Sequence, residues 1–396
     1  MSKNKNGRPA KPRPDFPLFP HATGRWAKKI RGKFHYFGKV TTDPKGQAAL
    51  AKWLDQKDDL LAGRVPRPKV EGVTIRNLCN AFLSRKKDLL DSGELNAHTF
   101  QDAYGTCQRI GQYFGWDRLI VDVVADDFDG LRRQLAKQWG PARLAVEVGR
   151  IHSLFRYALD AGLIVQAVRF GPHFRGPSRR VLRLARAEKG VRMFEAAELR
   201  AILTAAKQPL RAMILLAANC GFGNSDLAHL PTKAVNLKTG WVDFPRGKTG
   251  IGRRCPLWPE TVAAVRQALD QRPTPSKPVH RPLAFIMPNG EPWAEVTHEH
   301  IGEGRVEVRR RDAIGKAFDA LIRNLKLHRA GLGLYAIRHT FETIGGDSRD
   351  QVAVDAIMGH TRDDMASVYR ERIDESRLLA VVNHVRQWLF GETKQE

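Results

Sequence analysis

Apolar residues in the first half of the chain recur with the period of an α-helix, and this periodicity constrains the fold more than any other feature. The four stripes are Ile75, Leu78, Cys79, Phe82 and Leu83; Phe100, Tyr104, Cys107, Ile110 and Phe114; Phe128, Leu131 and Leu135; and Leu144, Val148, Ile151, Leu154, Phe155 and Ala158. Spacings of three and four residues place each stripe on one helical face. The pattern predicts four short helices over 73–162 that share one core, the third capped by Asp126-Asp127.

The second half of the chain predicts more helices and one small sheet. Helical stripes begin at Met193, Val262 and Ile314, while 241–244 and 254–257 are predicted to be strands that flank a Gly-rich turn. The fold class predicted is therefore mostly α with a small antiparallel β-sheet (α+β). His298 and His300 are expected to lie in a solvated loop rather than in a metal site.

The chain is strongly basic, which indicates a polyanionic partner. Lys and Arg total 66 against 42 Asp and Glu, giving a net charge of +24, and the excess is spread along the whole sequence. Such a distribution favours a protein that wraps its polyanion and releases counterions on binding. No apolar run approaches the roughly 20 residues that span a bilayer. The four separated cysteines fit reduced thiols, so a cytoplasmic, nucleoid-associated location is expected.

The N-terminal 70 residues combine a basic tail with an aromatic and basic segment. Residues 1–20 are rich in Lys, Arg and Pro, which predicts disorder. In residues 24–40, aromatic side chains alternate with lysines and arginines around Gly32, so a small hairpin is predicted. We expect this hairpin to be an accessory arm that contacts DNA; the alternative is a small sheet with a solvated basic face.

The last sixty residues contain the candidate catalytic side chains. Ala336–Phe341 reads AIRHTF and contains Arg338 and His339; the sequence continues with Met358-Gly359-His360 and with Tyr369, nine residues after His360. That interval is about two and a half turns if it is helical. A tyrosine hydroxyl can attack a phosphodiester while arginine and histidine hold the phosphate oxygens.

The combination of RHTF, MGH and Tyr369 resembles the tyrosine recombinase (phage integrase) family. The resemblance implies a basic N-terminal arm over 1–70, a helical core-binding domain over 73–165, a basic linker over 166–192 and a catalytic domain over 193–396. It also implies DNA cleavage through a 3′-phosphotyrosine by a homotetramer on synapsed DNA. No metal, small-molecule cofactor or membrane is implied.

The resemblance assigns roles to further residues of the site. Lys248, in the turn ahead of Pro256-Leu257, matches the family's active-site lysine and would protonate the departing 5′ oxygen. Arg338 would bind two phosphate oxygens through its planar fork, and His360 would donate to another. His339 either orients Arg338 or is a satisfied core histidine, and we expect the orienting role.

Two positions depart from the family pattern. Gly223 stands where the family has its first arginine, and Tyr335 stands where it has a histidine three residues before Arg338. A cation from elsewhere could fill the gap, and Arg253, Arg254 and Arg309–Arg311 are candidates; Asn224 could add a neutral donor. Otherwise the protein is a catalytically silent DNA-binding protein. A relaxing topoisomerase would share the chemistry.

The distributed charge makes a prediction about binding. Affinity for duplex DNA should fall steeply with salt, by about 10³ to 10⁵ between 50 and 200 mM if six to ten phosphates are contacted. Removal of residues 1–70 should weaken binding and leave a fragment that still binds. Fluorescence anisotropy across a salt series measures both; a salt-independent affinity, or complete loss on truncation, contradicts the wrapping hypothesis.

Overall fold

The computed structural model describes residues 11–64, 72–300, 306–360, 369 and 371–391. Contacts divide the chain into two compact units, residues 1–74 and residues 75–396. In the described part of the chain, no helix is both long and apolar enough to cross a membrane. The first ten residues of the predicted basic tail lie outside the described residues.

The N-terminal unit is a three-stranded antiparallel sheet with one helix. Strands β1 (Phe19–Pro20), β2 (Arg25–Ile30) and β3 (Lys33–Lys39) pair in that order, and Gly32 at φ 82° allows the predicted β2–β3 turn. Helix α1 (Gln47–Leu61), which the sequence reading missed, covers one face. The Asp43 carboxylate accepts from the backbone N–H groups of Gln47 and Ala49 and so caps this helix.

The four predicted helices of the next segment are confirmed. They are α2 (Ile75–Asp91), α3 (Ala97–Phe114), α4 (Ala125–Gln138) and α5 (Pro141–Asp160). The apolar stripes form their buried faces. One detail of the prediction was wrong: Asp126 and Asp127 lie inside the first turn of α4, where the Asp127 carboxylate accepts from the Val124 backbone N–H.

Aromatic rings fill the centre of this helical region around Phe128. Its ring centroid lies 5.2 Å from those of Phe114 and Phe155, 4.7 Å from Phe170 and 5.1 Å from Phe174. Phe170 and Phe174 belong to the predicted linker, so the start of that segment is packed into the helical core. The same segment also contains helix α6 (Arg179–Ala187), which the sequence reading treated as irregular.

A fully buried helix, α8 (Leu210–Cys220), organises the C-terminal region. Every residue from Ala212 to Cys220 is buried, because this helix is apolar on all sides and neighbours surround it. The surrounding helices are α7 (Ala196–Ala205), α9 (Asn224–His229), α10 (Pro259–Asp270), α11 (Ala313–Asn324), α12 (Tyr335–Gly346) and, after α13 (Gln351–Met358), α14 (Glu375–Phe390). Helix α13 packs against α12 and α14.

A small antiparallel sheet lies beside the end of α8. It comprises β4 (Val235–Asn236), β5 (Trp241–Asp243) and β6 (Arg254–Pro256) in that order, so the two predicted strands are confirmed and a third is added. Buried Asn219 fixes the sheet to α8: its side-chain amide donates to the Pro256 carbonyl at 3.0 Å and accepts from the Trp258 backbone N–H at 2.8 Å.

A further hairpin was not predicted. Strands β7 (Ala294–His300) and β8 (Val306–Asp312) pair antiparallel, and His298 and His300 therefore lie on a strand rather than in the expected loop. Val306 and Val308 pack against Leu90 and Phe100 of the helical region. With this hairpin, the described residues contain three antiparallel sheets, while helices predominate.

The four cysteines, distant in sequence, form two buried neighbouring pairs. A hydrogen bond with Cys79 and burial raise the pKa of Cys107, while burial and a hydrogen bond with Cys220 raise the pKa of Cys255. Both shifts favour the neutral thiol over the reactive thiolate.

The ring cluster makes a prediction about stability. Phe128→Ala should lower the free energy of unfolding by about 3 to 5 kcal/mol, because it removes a fully buried ring from among four others. Val165→Ala is the control: Val165 is 95% exposed, and its change should be within about 0.5 kcal/mol. Equal urea midpoints for the two variants would contradict the packing described.

Candidate active site

The site is built around a buried guanidinium, that of Arg338 in the first turn of α12. Its Nη1 donates to the Gly221 carbonyl, and its Nη2 donates to the Met358 carbonyl and to His360 Nε2, both at 2.9 Å. Arg338 is only 3% exposed, and burial together with the charge of Arg246 lowers its pKa. Within the described residues, these contacts use three of its five N–H donors.

Two glycines in the left-handed conformation position the helix ends that meet here. Gly221 (φ 63°) ends α8 and Gly359 (φ 65°) ends α13, which is the usual role of glycine after a helix. A Cβ on Gly359 would lie 2.8 Å from Arg253 Cδ and 3.0 Å from Arg246 Cβ. Glycine is therefore required at 359 both for its backbone conformation and for the close approach of two arginine side chains.

His360 connects Arg338 to two carboxylates. Because an arginine can only donate, the His360 Nε2 facing Arg338 is an acceptor, and the ring proton lies on Nδ1. Nδ1 is 3.4 Å from Glu342 Oε2 and 3.5 Å from Asp355 Oδ1. The Gln351 side-chain amide donates to both carboxylates and so fixes their position.

In the part of the chain that the structure describes, one group has side-chain ligand atoms close enough together to hold a metal ion. The ligand atoms of Glu342, Asp355 and His360 lie within 4.8 Å of one another. Gln351 holds the two carboxylates, and they lie 3.4 and 3.5 Å from His360 Nδ1, so the arrangement is accounted for as one that orients the imidazole.

Lys248 and Tyr369 are both exposed. Lys248 lies in the turn between β5 and β6, and the flanking residues Arg246 and Thr249 donate to the Gly359 carbonyl at 3.1 and 3.4 Å. The hairpin turn that carries Lys248 is therefore docked beside His360.

The Tyr369 side chain is 75% exposed, and no hydrogen bond among the described residues joins it to Arg338 or His360. Residues 361–368, over which a helical spacing was considered, lie outside the described residues. The segment that follows Tyr369 does approach the site, because Glu371 and Arg372 line the same cleft of about 1220 Å³ as His360.

The two departures from the family pattern lie against each other. A Cβ on Gly223 would lie 3.2 Å from Tyr335 Cε2 and 3.3 Å from Cδ2, so the tyrosine ring covers the space above the glycine. Gly223 has φ −96°, which any residue adopts, so its backbone does not require glycine. The two positions are therefore in contact, with the Tyr335 ring packed over a residue that has no side chain.

His339 does not contact Arg338 through any described hydrogen bond. Its exposed ring packs edge-on against Tyr335 at 5.4 Å and lines a second cleft with Arg186 and Arg192. Burial and these two arginines lower the pKa of His339. The contacts therefore place His339 toward a basic cleft, and the expected orienting role has no supporting contact.

Arg253, one of the predicted replacement cations, is buried and already paired. Its side chain is 1% exposed, and Nη2 donates to Asp226 Oδ1 at 2.8 Å while Nε donates to the Phe244 carbonyl at 2.9 Å. The guanidinium lies 4.6 Å from the centre of the Phe222 ring. Its role is to join the hairpin to the start of α9.

Apart from Arg310, the other predicted candidates are occupied elsewhere. Arg254, Arg309 and Arg311 form ion pairs at the surface, and the Asn224 amide donates to Asp312. The pairing carboxylates are Glu375 and Asp243 for Arg254, Glu307 and Glu299 for Arg309, and Glu291 for Arg311. Arg310 lies between Arg309 and Arg311 on β8.

The cation that approaches Arg338 is Arg246, which the sequence reading missed. It lies two residues before Lys248 in the same turn, and this closeness in sequence was the one feature that could have identified it as a site residue. Its contact with Gly359 spans 113 residues of sequence and is not encoded in any local pattern.

Comparison with known proteins agrees with this architecture. Residues 192–375 match the sequence model of the phage integrase family, so this segment of the chain is a phage integrase domain. No curated protein sequence is significantly similar to the chain.

Two solved structures share the fold. A lambda integrase tetramer bound to a Holliday junction gives a TM-score of 0.51 at 17% identity, over 92% of this chain and 99% of that chain. The Tn1549 transposon integrase in complex with transposon right end DNA gives 0.53 at 16% identity, over 79% and 100%.

The Arg253–Asp226 pair makes a prediction about stability. Asp226→Asn should cost about 3 kcal/mol of unfolding free energy, because the Arg253 charge would remain buried without a carboxylate. Asp243→Asn, which removes the exposed 3.7 Å partner of Arg254, should cost less than about 1 kcal/mol. Denaturation midpoints of the two variants measure the difference, and a harmless Asp226→Asn would show that the pair does not hold the hairpin.

Proposed function

We propose that this protein is a site-specific DNA recombinase of the integrase type, which cuts and rejoins strands through a 3′-phosphotyrosine at Tyr369. The observation that carries the proposal is the convergence of Arg338, His360 and the Lys248 turn on one short segment, Met358–His360. A phosphodiester resists attack because its oxygens are negative, so catalysis depends on cations held in place before the reaction.

The donors of Arg338 suit the binding of a phosphate. Its planar guanidinium can offer two N–H groups to two oxygens, and the free energy of its burial is lower when a negative charge is close. His360 accepts from Arg338 in the DNA-free arrangement. We expect His360 to donate a hydrogen bond to the phosphate when DNA is bound.

The reacting groups come from exposed segments on either side of this pocket. The Tyr369 hydroxyl would attack phosphorus and expel the 5′ oxygen of the next nucleotide, to which Lys248 would give its proton. The reverse attack by a 5′ hydroxyl restores the phosphodiester and frees Tyr369, so the bond energy is retained in the protein–DNA link. Tyr335 and His339 would lie at the edge of the phosphate site rather than within it.

A row of cations next to the site supplies a surface for the DNA backbone. All six belong to α6 and the segment after it, and all are exposed: Arg179, Arg180, Arg183, Arg186, Lys189 and Arg192. Within the described part of the chain, none forms an ion pair with a carboxylate, so their charge is available to phosphates. The exposed rings of Phe34 and Tyr36 on β3, with Lys29 and Arg25 beside them, suit the proposed DNA-contacting arm.

Assembly on DNA as a homotetramer is part of the same proposal. One structure that shares this fold is a lambda integrase tetramer bound to a Holliday junction, and the Tn1549 integrase is in complex with transposon DNA. Each copy of this chain carries one nucleophile, so exchange of two duplexes, with four strands cut, requires four copies.

The nucleophile is tested on a nicked suicide duplex, which traps the covalent intermediate because the short cleaved strand diffuses away. Tyr369→Phe should abolish the covalent band and leave DNA affinity within about twofold, since one hydroxyl contributes little to a phosphate-dominated interface. A covalent band that persists in this variant would show that another residue is the nucleophile.

The same assay separates the rival functions. A wild-type chain that binds its site without forming any band is the catalytically silent DNA-binding protein. A chain that forms the band and relaxes supercoils without exchanging partners is a topoisomerase.

A further inference from the structure

Arg246 and Arg338 both donate hydrogen bonds to the Met358–His360 segment. Arg246 Nη1 donates to the Gly359 carbonyl at 3.1 Å, and Arg338 Nη2 donates to the carbonyl of the preceding residue, Met358, at 2.9 Å. Arg338 also contacts the following residue, His360. Three consecutive residues therefore hold two guanidinium groups, and the absence of a Cβ at Gly359 leaves space for the side chains of Arg246 and Arg253.

Arg246 and Arg253, both in the β5–β6 hairpin, differ in how their charge is balanced. No carboxylate of a described residue pairs with Arg246, whereas Arg253 in the same hairpin is paired with Asp226. Arg246 is also half-buried, while the Arg253 side chain is 1% exposed. Arg246 is thus the hairpin cation whose charge no described carboxylate balances, whereas the charge of Arg253 is balanced by Asp226.

The charge of Arg246 acts on Arg338. After burial, the charge of Arg246 is the largest influence that lowers the pKa of Arg338. Two like charges held close together and incompletely neutralised favour the binding of an anion between them. A tetrahedral oxyanion with a shared negative charge, such as a phosphate diester, has the oxygens to accept from both groups.

We propose that Arg246 binds a phosphate together with Arg338 and supplies the cation that is missing at Gly223. The proposal rests on the proposed function for the identity of this phosphate, the scissile phosphodiester. It explains why Tyr335 can occupy the space above Gly223 without leaving the site short of a cation. Arg246 reaches the phosphate from the β5–β6 turn, not from the end of α8.

The test compares strand cleavage by Arg246→Gln, Arg246→Lys and the wild type on the suicide duplex. Arg246→Gln should slow cleavage by about 10² to 10³, the effect of one preorganised donor, and Arg246→Lys should recover part of the loss. Arg254→Gln is the matched control, because Arg254 lies in the same hairpin and is ion-paired at the surface; its rate should stay within about threefold of wild type.

A neutral substrate separates phosphate binding from a structural role. In a methylphosphonate duplex one charged oxygen at the scissile position is replaced by a methyl group, so a cation there loses most of its value. The rate ratio of wild type to Arg246→Gln should fall to about tenfold or less on this substrate, consistent with a lost charge interaction. An unchanged ratio on both substrates would mean that Arg246 only holds the hairpin, and would overturn the proposal.

A binding measurement tests the inference without relying on strand cleavage. Inorganic phosphate should raise the melting temperature of the full-length wild type and of Arg254→Gln, but not that of Arg246→Gln. If the wild type cleaves no duplex yet shows this Arg246-dependent shift, the phosphate site stands and the recombinase function fails. If Arg246→Gln cleaves and responds to phosphate like the wild type, the inference fails while the function stands.

Discussion

The burial of the Arg338 guanidinium among backbone carbonyls is the interaction on which the candidate site depends. A buried charge is costly unless polar groups surround it, and here the Gly221 and Met358 carbonyls supply them at the C-terminal ends of α8 and α13. Helix C-termini carry partial negative charge, which suits a cation. Arg338 therefore joins three helices and fixes the segment that presents His360 and receives the hairpin turn. Removal of this one side chain would leave the helix ends unsatisfied and the site unassembled.

The site differs from the family pattern at two positions, and there one side chain occupies the space that another would need. The Tyr335 ring lies over Gly223, so an arginine at 223 and this tyrosine ring compete for one space. The cations then come from α12 and from the β5–β6 turn. Because Arg253 anchors that turn to Asp226 while Arg246 and Thr249 dock it on Gly359, the position of the turn is set by contacts at both of its sides. A hairpin held in this way can place both Arg246 and Lys248 beside one phosphate.

The sequence predicted those features that depend on local periodicity and on motifs. Helices α2 to α5 followed from apolar stripes, and the β5–β6 strands followed from a Gly-rich turn between apolar runs. Helix α6 was missed because glycine and proline punctuate its surroundings, and the β7–β8 hairpin was missed because charged residues hide its alternation. Arg338 and His360 were found through their motifs and do lie in contact. Arg246 was not, since an arginine in a glycine-rich turn resembles a solvated surface charge until its partner 113 residues away is known.

We infer that Arg338 and Arg246 share one phosphate. It is tested most directly by a crystal structure of the Tyr369→Phe chain bound to a duplex that contains its cleavage site. The account predicts that Nη atoms of both arginines lie within about 3.2 Å of non-bridging oxygens of the same phosphate, the range of a charged hydrogen bond. A phosphate bound by Arg338 while Arg246 still contacts only the Gly359 carbonyl would contradict it.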